Sequence, residues 1–186
     1  DYGQRYNVVS VSDQIADDHK YYIQSDVTTA RLHTYREPRF YSSVGFDGGK
    51  WFSLESDDLE NLPNINAKAG QISGKVGFEI YSITGYFTKK LVNYENVITV
   101  NNAAVVGYTF PIIRLSDLYL MHAEAANEAK SAPDAEVYEY IQKVRHKAGL
   151  DVGSDLVTTW ATYSNLPNKP ATQAGMRDII RQERRI

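Results

Sequence analysis

At about Pro111 the sequence changes period. Before it, short alternating runs are punctuated by Gly and Asn, and after it apolar residues recur at helical spacing. At about 150 residues per domain, 186 residues make one domain the starting expectation, with 1–110 a loop-rich segment carrying short strands and 111–186 its helical part. Ser116 or Asp117 can cap a helix reaching about Ala129, with Leu118, Met121 and Ala125 on one stripe flanked by Leu115 and Leu120. Ala123, Ala125, Ala126 and Ala129 leave room for a neighbouring helix. After the break at Lys130–Pro133, a second helix is predicted from near Asp134 to Gly149, a left-handed cap, and Val137, Ile141, Val144 and Ala148 share one face. So short a connection makes the pair an antiparallel αα-hairpin, of the kind that tetratricopeptide-type folds stack because one hairpin cannot bury itself. A third helix is predicted from about Thr172 through Met176, Ile179, Ile180 and Glu183. It succeeds an irregular segment, Asp151–Pro170, anchored by Trp160 and Tyr163. Ahead of Pro111, strands are predicted at Asn7–Val11, Phe40–Val44, Phe78–Ile83 and Val97–Val100, between turn signals. The fold class expected is mainly α with long loops and short strands.

Several chemistries lack the residues they need. There is no cysteine, which excludes thiolate zinc sites, iron–sulfur clusters and cysteine nucleophiles. His19, His33, His122 and His146 form no local metal-ligand spacing and read as solvated or hydrogen-bonded histidines, so no metal and no cofactor is expected. Gly70–Val76 is one residue short of a phosphate loop and has Val76 where a magnesium ligand is needed. No Gly-x-Ser-x-Gly elbow is present, and the acidic run Glu55–Glu60 reads as a solvated loop. A net charge of −3 gives no bulk positive field for nucleic acid, and Arg177, Arg181, Arg184 and Arg185 read as an ion-paired helix face. The longest apolar stretch, Ala103–Ile113, is too short and too interrupted to span a bilayer. Asp1 is not an initiator and the helix ending at Ile186 has no stop signal, so the sequence reads as cut at both ends.

The aromatic residues are where chemistry is expected. Of 14 Tyr, 6 Phe and 2 Trp, half fall in two windows, 35–52 and 78–94, both in the loop-rich segment. A sugar ring presents an apolar C–H face that flat aromatic rings can cover, and a rim of hydroxyls that polar side chains must satisfy. Gly45, Asp47, Gly48 and Gly49 supply a tight turn that can display Trp51. The candidate ligand-binding residues are Trp51, Tyr41, Tyr81 and Tyr86, with Asp47 and Asn93 as polar partners. Phe40, Phe52, Phe78 and Phe87 have no polar handle and read as core.

Three stretches together carry a resemblance. Arg36-Glu37-Pro38-Arg39-Phe40-Tyr41, Gly45-Phe46-Asp47-Gly48-Gly49-Lys50-Trp51 and Gly85-Tyr86-Phe87-Thr88-Lys89-Lys90 look like the middle of the SusD/RagB family. The run Phe110 to Glu128, then Val144-Arg145-His146-Lys147-Ala148-Gly149-Leu150, then Ile180-Arg181-Gln182-Glu183-Arg184-Arg185-Ile186, matches that family's pattern in order and spacing. The likeness spans roughly Arg36 to Ile186, and Asp1–Tyr35 carries no recognisable motif. The resemblance implies a partial SusD-like, tetratricopeptide-type helical scaffold decorated by long loops. It also implies a lipid-anchored protein at the outer-membrane surface of Bacteroidetes, capturing oligosaccharide or other glycan nutrients without catalysis for a TonB-dependent SusC-like transporter. On that resemblance Arg114, Glu124, Asn127, Arg145, Glu183 and Arg184 are scaffold residues, and no ligand residue carries over. The family's lipid-bearing cysteine is absent from this sequence. Two other readings stand beside glycan capture: a scaffold whose main partner is the transporter, and a glycan-cleaving enzyme.

Overall fold

A computed structural model describes residues 8–10, 22–23, 27–52, 62–77, 81–98, 103–150 and 155–185. The chain divides into two compact units, Asp1–Thr109 and Phe110–Ile186. Of the predicted features, Phe78, the acidic run Glu55–Glu60 and the end of the Val97–Val100 strand lie outside the described residues.

The first unit is built of short antiparallel ladders: β1 (Val8–Ser10) with β2 (Thr28–Ala30), β3 (Val44–Gly45) with β4 (Phe87–Thr88), and β5 (Val97–Ile98) with β6 (Ala103–Ala104). No described strand exceeds three residues, so side-chain packing must fix the unit where ladders cannot. Ile23, Tyr41 and Phe46 are fully or almost fully buried, with Tyr22, Val27 and Phe40 packed around them. One predicted strand is a helix instead. Pro38–Ser43 forms α1, and only Val44 and Gly45 of that region pair as a strand. Pro38 in the first turn presets helical φ and lacks only an N–H that a helix start leaves unpaired anyway. That start outweighs the β preference of the aromatic pair Phe40 and Tyr41, whose rings meet edge to face at 5.3 Å.

The turn at Asp47 and Gly48 sets the place of Trp51. Gly48 has φ of +82°, and a Cβ there would also meet Val27 Cγ2 at 2.9 Å. Asp47 Oδ1 accepts from the Ala67 amide at 2.8 Å, holding the turn to the strand-like run 63–65. Gly48 and Trp51 donate their amides to the Ile65 and Pro63 carbonyls, both at 2.8 Å. Trp51 therefore stands at the end of a backbone ladder whose register is set by Asp47 and Gly48.

The second unit is helical: α2 (Leu115–Ala129), α3 (Ala135–Lys147), α4 (Leu156–Tyr163) and α5 (Gln173–Arg185). Asp134 caps α3 by accepting the Val137 amide, and Asp155 caps α4 by accepting the Thr158 amide at 2.7 Å. Cross-helix pairs run in opposite senses: Tyr119 meets Lys143 while His122 meets Tyr140 and Glu136, so α2 and α3 are an antiparallel hairpin. Pairs of Glu128 with Arg177 and Glu124 with Arg184 make α5 antiparallel to α2 as well. The core is Leu120, Ala123, Val137, Ile141, Val144, Leu156, Met176, Ile179 and Ile180.

Three expectations change here. The buried stripe of α2 is Leu120, Ala123 and Asn127, while Leu115, Leu118 and Met121 are exposed. Ala123, fully buried in the core, leaves room for the neighbouring helices on the face that is covered. The segment predicted to be irregular contains α4, whose Trp160 packs against the core while Tyr163 stays exposed. Of the α5 arginines, Arg177, Arg181 and Arg184 pair across to α2 rather than along their own helix.

Candidate functional site

Within the first unit a cavity of about 350 Å³ opens between the end of α1, the 50–52 strand-like run and the 89–94 turn. That volume lies at the lower end of small-ligand sites. Its wall is aromatic: Tyr22, Tyr41, Trp51, Phe52 and Tyr94 line it, with Leu62 and Val92. Phe52 and Tyr94 meet edge to face at 6.1 Å and are both exposed, so Phe52 belongs to this rim and not to the core. Trp51 is half-buried because Gly45 leaves space beneath it; a Cβ at Gly45 would stand 3.1 Å from the indole ring and 2.7 Å from Ile65.

Polar groups converge on the same wall. Lys89 Nζ donates to the Lys50 carbonyl at 2.6 Å and to the Tyr41 carbonyl at 3.2 Å, and lies 5.7 Å from the centre of the Trp51 ring. Burial lowers its pKa to about 8, so it is still mostly protonated at neutral pH. Asn93 donates from Nδ2 to the Gly107 carbonyl at 3.2 Å and accepts the Glu95 amide on Oδ1 at 3.0 Å. Each group of that amide has further hydrogen-bonding capacity. Ser42 and Lys50 complete the polar lining.

Of the six residues singled out from the sequence, the structure brings Trp51, Tyr41 and Asn93 to this cavity. Tyr41 forms wall and core at once: its hydroxyl donates to the His33 carbonyl at 2.8 Å and accepts the Arg36 amide at 3.1 Å, and its ring stacks on Tyr22 at 4.6 Å. Burial raises the pKa of its phenol. The other three lie outside the cavity. Asp47 holds the Ala67 amide and lies 3.4 Å from Lys68 Nζ. Tyr86 hydrogen-bonds His33 Nε2 at 3.0 Å, and Tyr81 lies under the Lys75 ammonium at 5.6 Å. Residues not singled out are Tyr22, Ser42, Lys50, Phe52, Leu62, Lys89, Val92 and Tyr94. Phe52 and Tyr94 stood inside the aromatic windows, and Lys89 inside one of the resemblance motifs, but sequence spacing gives no sign that they meet.

Among the described residues no group of three or more His, Asp or Glu is placed to hold a metal ion. Nor is any described helix long and apolar enough to cross a membrane. No curated protein matches the chain. The motif resemblance begins at Arg36, whereas the family model described as SusD family matches residues 1–186, taking in the first 35 as well. With that match over its full length, and with its mainly helical fold, the chain belongs to the SusD family.

Proposed function

We propose that the chain binds oligosaccharide or other glycan nutrients without cleaving them, and that the aromatic cavity of its first unit is where it does so. The observation that carries this reading is the cavity wall itself, with Trp51, Phe52 and Tyr94 presenting ring faces or edges beside Asn93 and Lys89. A pyranose needs both: apolar rings against its C–H face and donors and acceptors for its hydroxyls. Family membership supports the wider role, with the protein held at the outer-membrane surface by a lipid anchor and handing its ligand to a SusC-like TonB-dependent transporter.

Binding of the protein to an array of plant, host and microbial glycans, with reducing-end release measured in parallel, tests this. The expected outcome is at least one glycan bound without release, weakened about tenfold by Trp51→Ala, equivalent to about 1.4 kcal/mol. A blank array with a folded protein, or release of new reducing ends, contradicts it. The second reading, a scaffold whose main partner is the transporter, draws on the exposed apolar face Leu115, Leu118 and Met121 of α2. It predicts transporter association that survives Trp51→Ala and a blank array.

A further inference from the structure

Among the described residues, the charge of the cavity lining goes against the charge of the chain. The whole sequence carries −3, yet the described lining residues include two lysines, Lys50 and Lys89, and no carboxylate. Among the described residues no carboxylate pairs with Lys89; its two hydrogen bonds go to backbone carbonyls of Lys50 and Tyr41. An ammonium has three N–H donors, so one remains after those two are made. Placing a partly desolvated cation against aromatic rings is costly unless something negative completes it, and the structure spends two carbonyl dipoles on holding it there. The ammonium lies 5.7 Å from the Trp51 ring centre. A pyranose resting against Trp51 spans that distance with its own substituents.

Building on the glycan reading, we propose that this cavity selects an anionic sugar, stacking its ring on Trp51 and receiving its acidic group, a carboxylate or a sulfate ester, on the free N–H of Lys89. Asn93 then serves a neighbouring hydroxyl. A neutral sugar of the same shape would leave the ammonium with two dipoles and, among the described residues, no countercharge, so the site discriminates by charge as well as by shape.

The test titrates the whole chain with matched pairs of oligosaccharides. Galacturonate, glucuronate and mannuronate oligomers are each set beside their carboxyl-reduced forms, and sulfated galactan oligomers beside their desulfated forms. The expected result is an acidic member bound about tenfold or more tightly than its neutral partner, as a charge-assisted hydrogen bond gives. Lys89→Met should lower the acidic member to the neutral level, and Lys89→Arg should keep the preference. The carboxylate and sulfate arms show which acidic group is taken. A second readout needs no variant: the Lys89 Nζ resonance of the wild-type protein should move on adding the acidic member and stay still on adding the neutral one. Equal binding within every pair overturns this proposal and leaves the glycan reading standing. An acidic preference that persists in folded Lys89→Met, or leaves the Lys89 resonance still, overturns it too. Silence from all members, acidic and neutral, together with a blank array overturns both.

Discussion

His33 shows how much a single buried side chain organises in the first unit. Thr29 has one hydroxyl proton and gives it to the Asp47 carbonyl at 2.6 Å, so it can only accept from His33 Nδ1, also at 2.6 Å. The imidazole is thereby held as its Nδ1–H tautomer, and Nε2 accepts from the Tyr86 hydroxyl at 3.0 Å. Burial against Phe46, whose ring centre is 4.4 Å away, lowers the pKa of His33 to about 4; the Asp47 carboxylate opposes that shift and Arg36 adds to it. A histidine with a depressed folded pKa stabilises the fold above its unfolded value of 6.5, and that stability is lost as pH falls towards 4. Between pH 6.5 and 4 the wild-type unit should lose on the order of 2 kcal/mol more than His33→Gln, read by urea unfolding at each pH. Parallel losses in the two proteins would remove His33 from the account. The sequence allowed a hydrogen-bonded histidine here but not its partners, because Tyr86 is 53 residues away and meets it only through the fold. Asp47 was legible as a polar residue beside a glycine turn; that its carboxylate faces Ala67 is a consequence of the 63–65 pairing, which no local pattern announces.

At the scale of elements, the helices were the legible part. Asp134 as cap, Gly149 with φ of +73° after α3, and the buried faces of α3 and α5 all arise from spacing and capping chemistry. The short helix α1 and the face of α2 were not, since each depends on what packs against it. Of the polar residues that the family resemblance marked as scaffold, Asn127, Arg145 and Glu183 are buried or half-buried between helices, Glu124 and Arg184 pair from α2 to α5, and Arg114 is exposed at the start of α2. Asn127 Nδ2 donates to the Gln173 carbonyl at 3.0 Å, and Gln173 Nε2 donates back to the Asn127 and Lys130 carbonyls at 3.0 and 2.7 Å. Arg145 and Glu183 tie α3 to α5 with an N–O distance of 2.5 Å and side chains only 15% and 4% exposed. A buried pair is costly to break because the survivor keeps an uncompensated charge. Glu183→Ala should therefore cost about 3 kcal/mol in urea unfolding, and adding Arg145→Met to Glu183→Leu should recover most of that loss. If the double variant were no better than the single one, the pair's effect would be packing and not charge.

Across the whole molecule, the change of period at Pro111 was legible as hydrophobic spacing, and the chain divides into compact units between Thr109 and Phe110. The cavity was not legible. It gathers residues 22, 41–42, 50–52, 62, 89 and 92–94, which long-range ladders and the glycines at 45 and 48 bring together, while Tyr81 stays outside. The sequence has two tryptophans, Trp51 at the cavity and Trp160 packed in the helical unit, and this gives the most direct test of where ligand binds. In a Trp160→Phe variant, Trp51 is the sole indole, and titration with a glycan that the array identifies should produce a saturable change in its emission at the affinity measured independently. The reciprocal Trp51→Phe variant, reporting from Trp160, should show no change. Binding that leaves Trp51 emission untouched, or that is seen only through Trp160, would contradict a glycan site in the aromatic cavity.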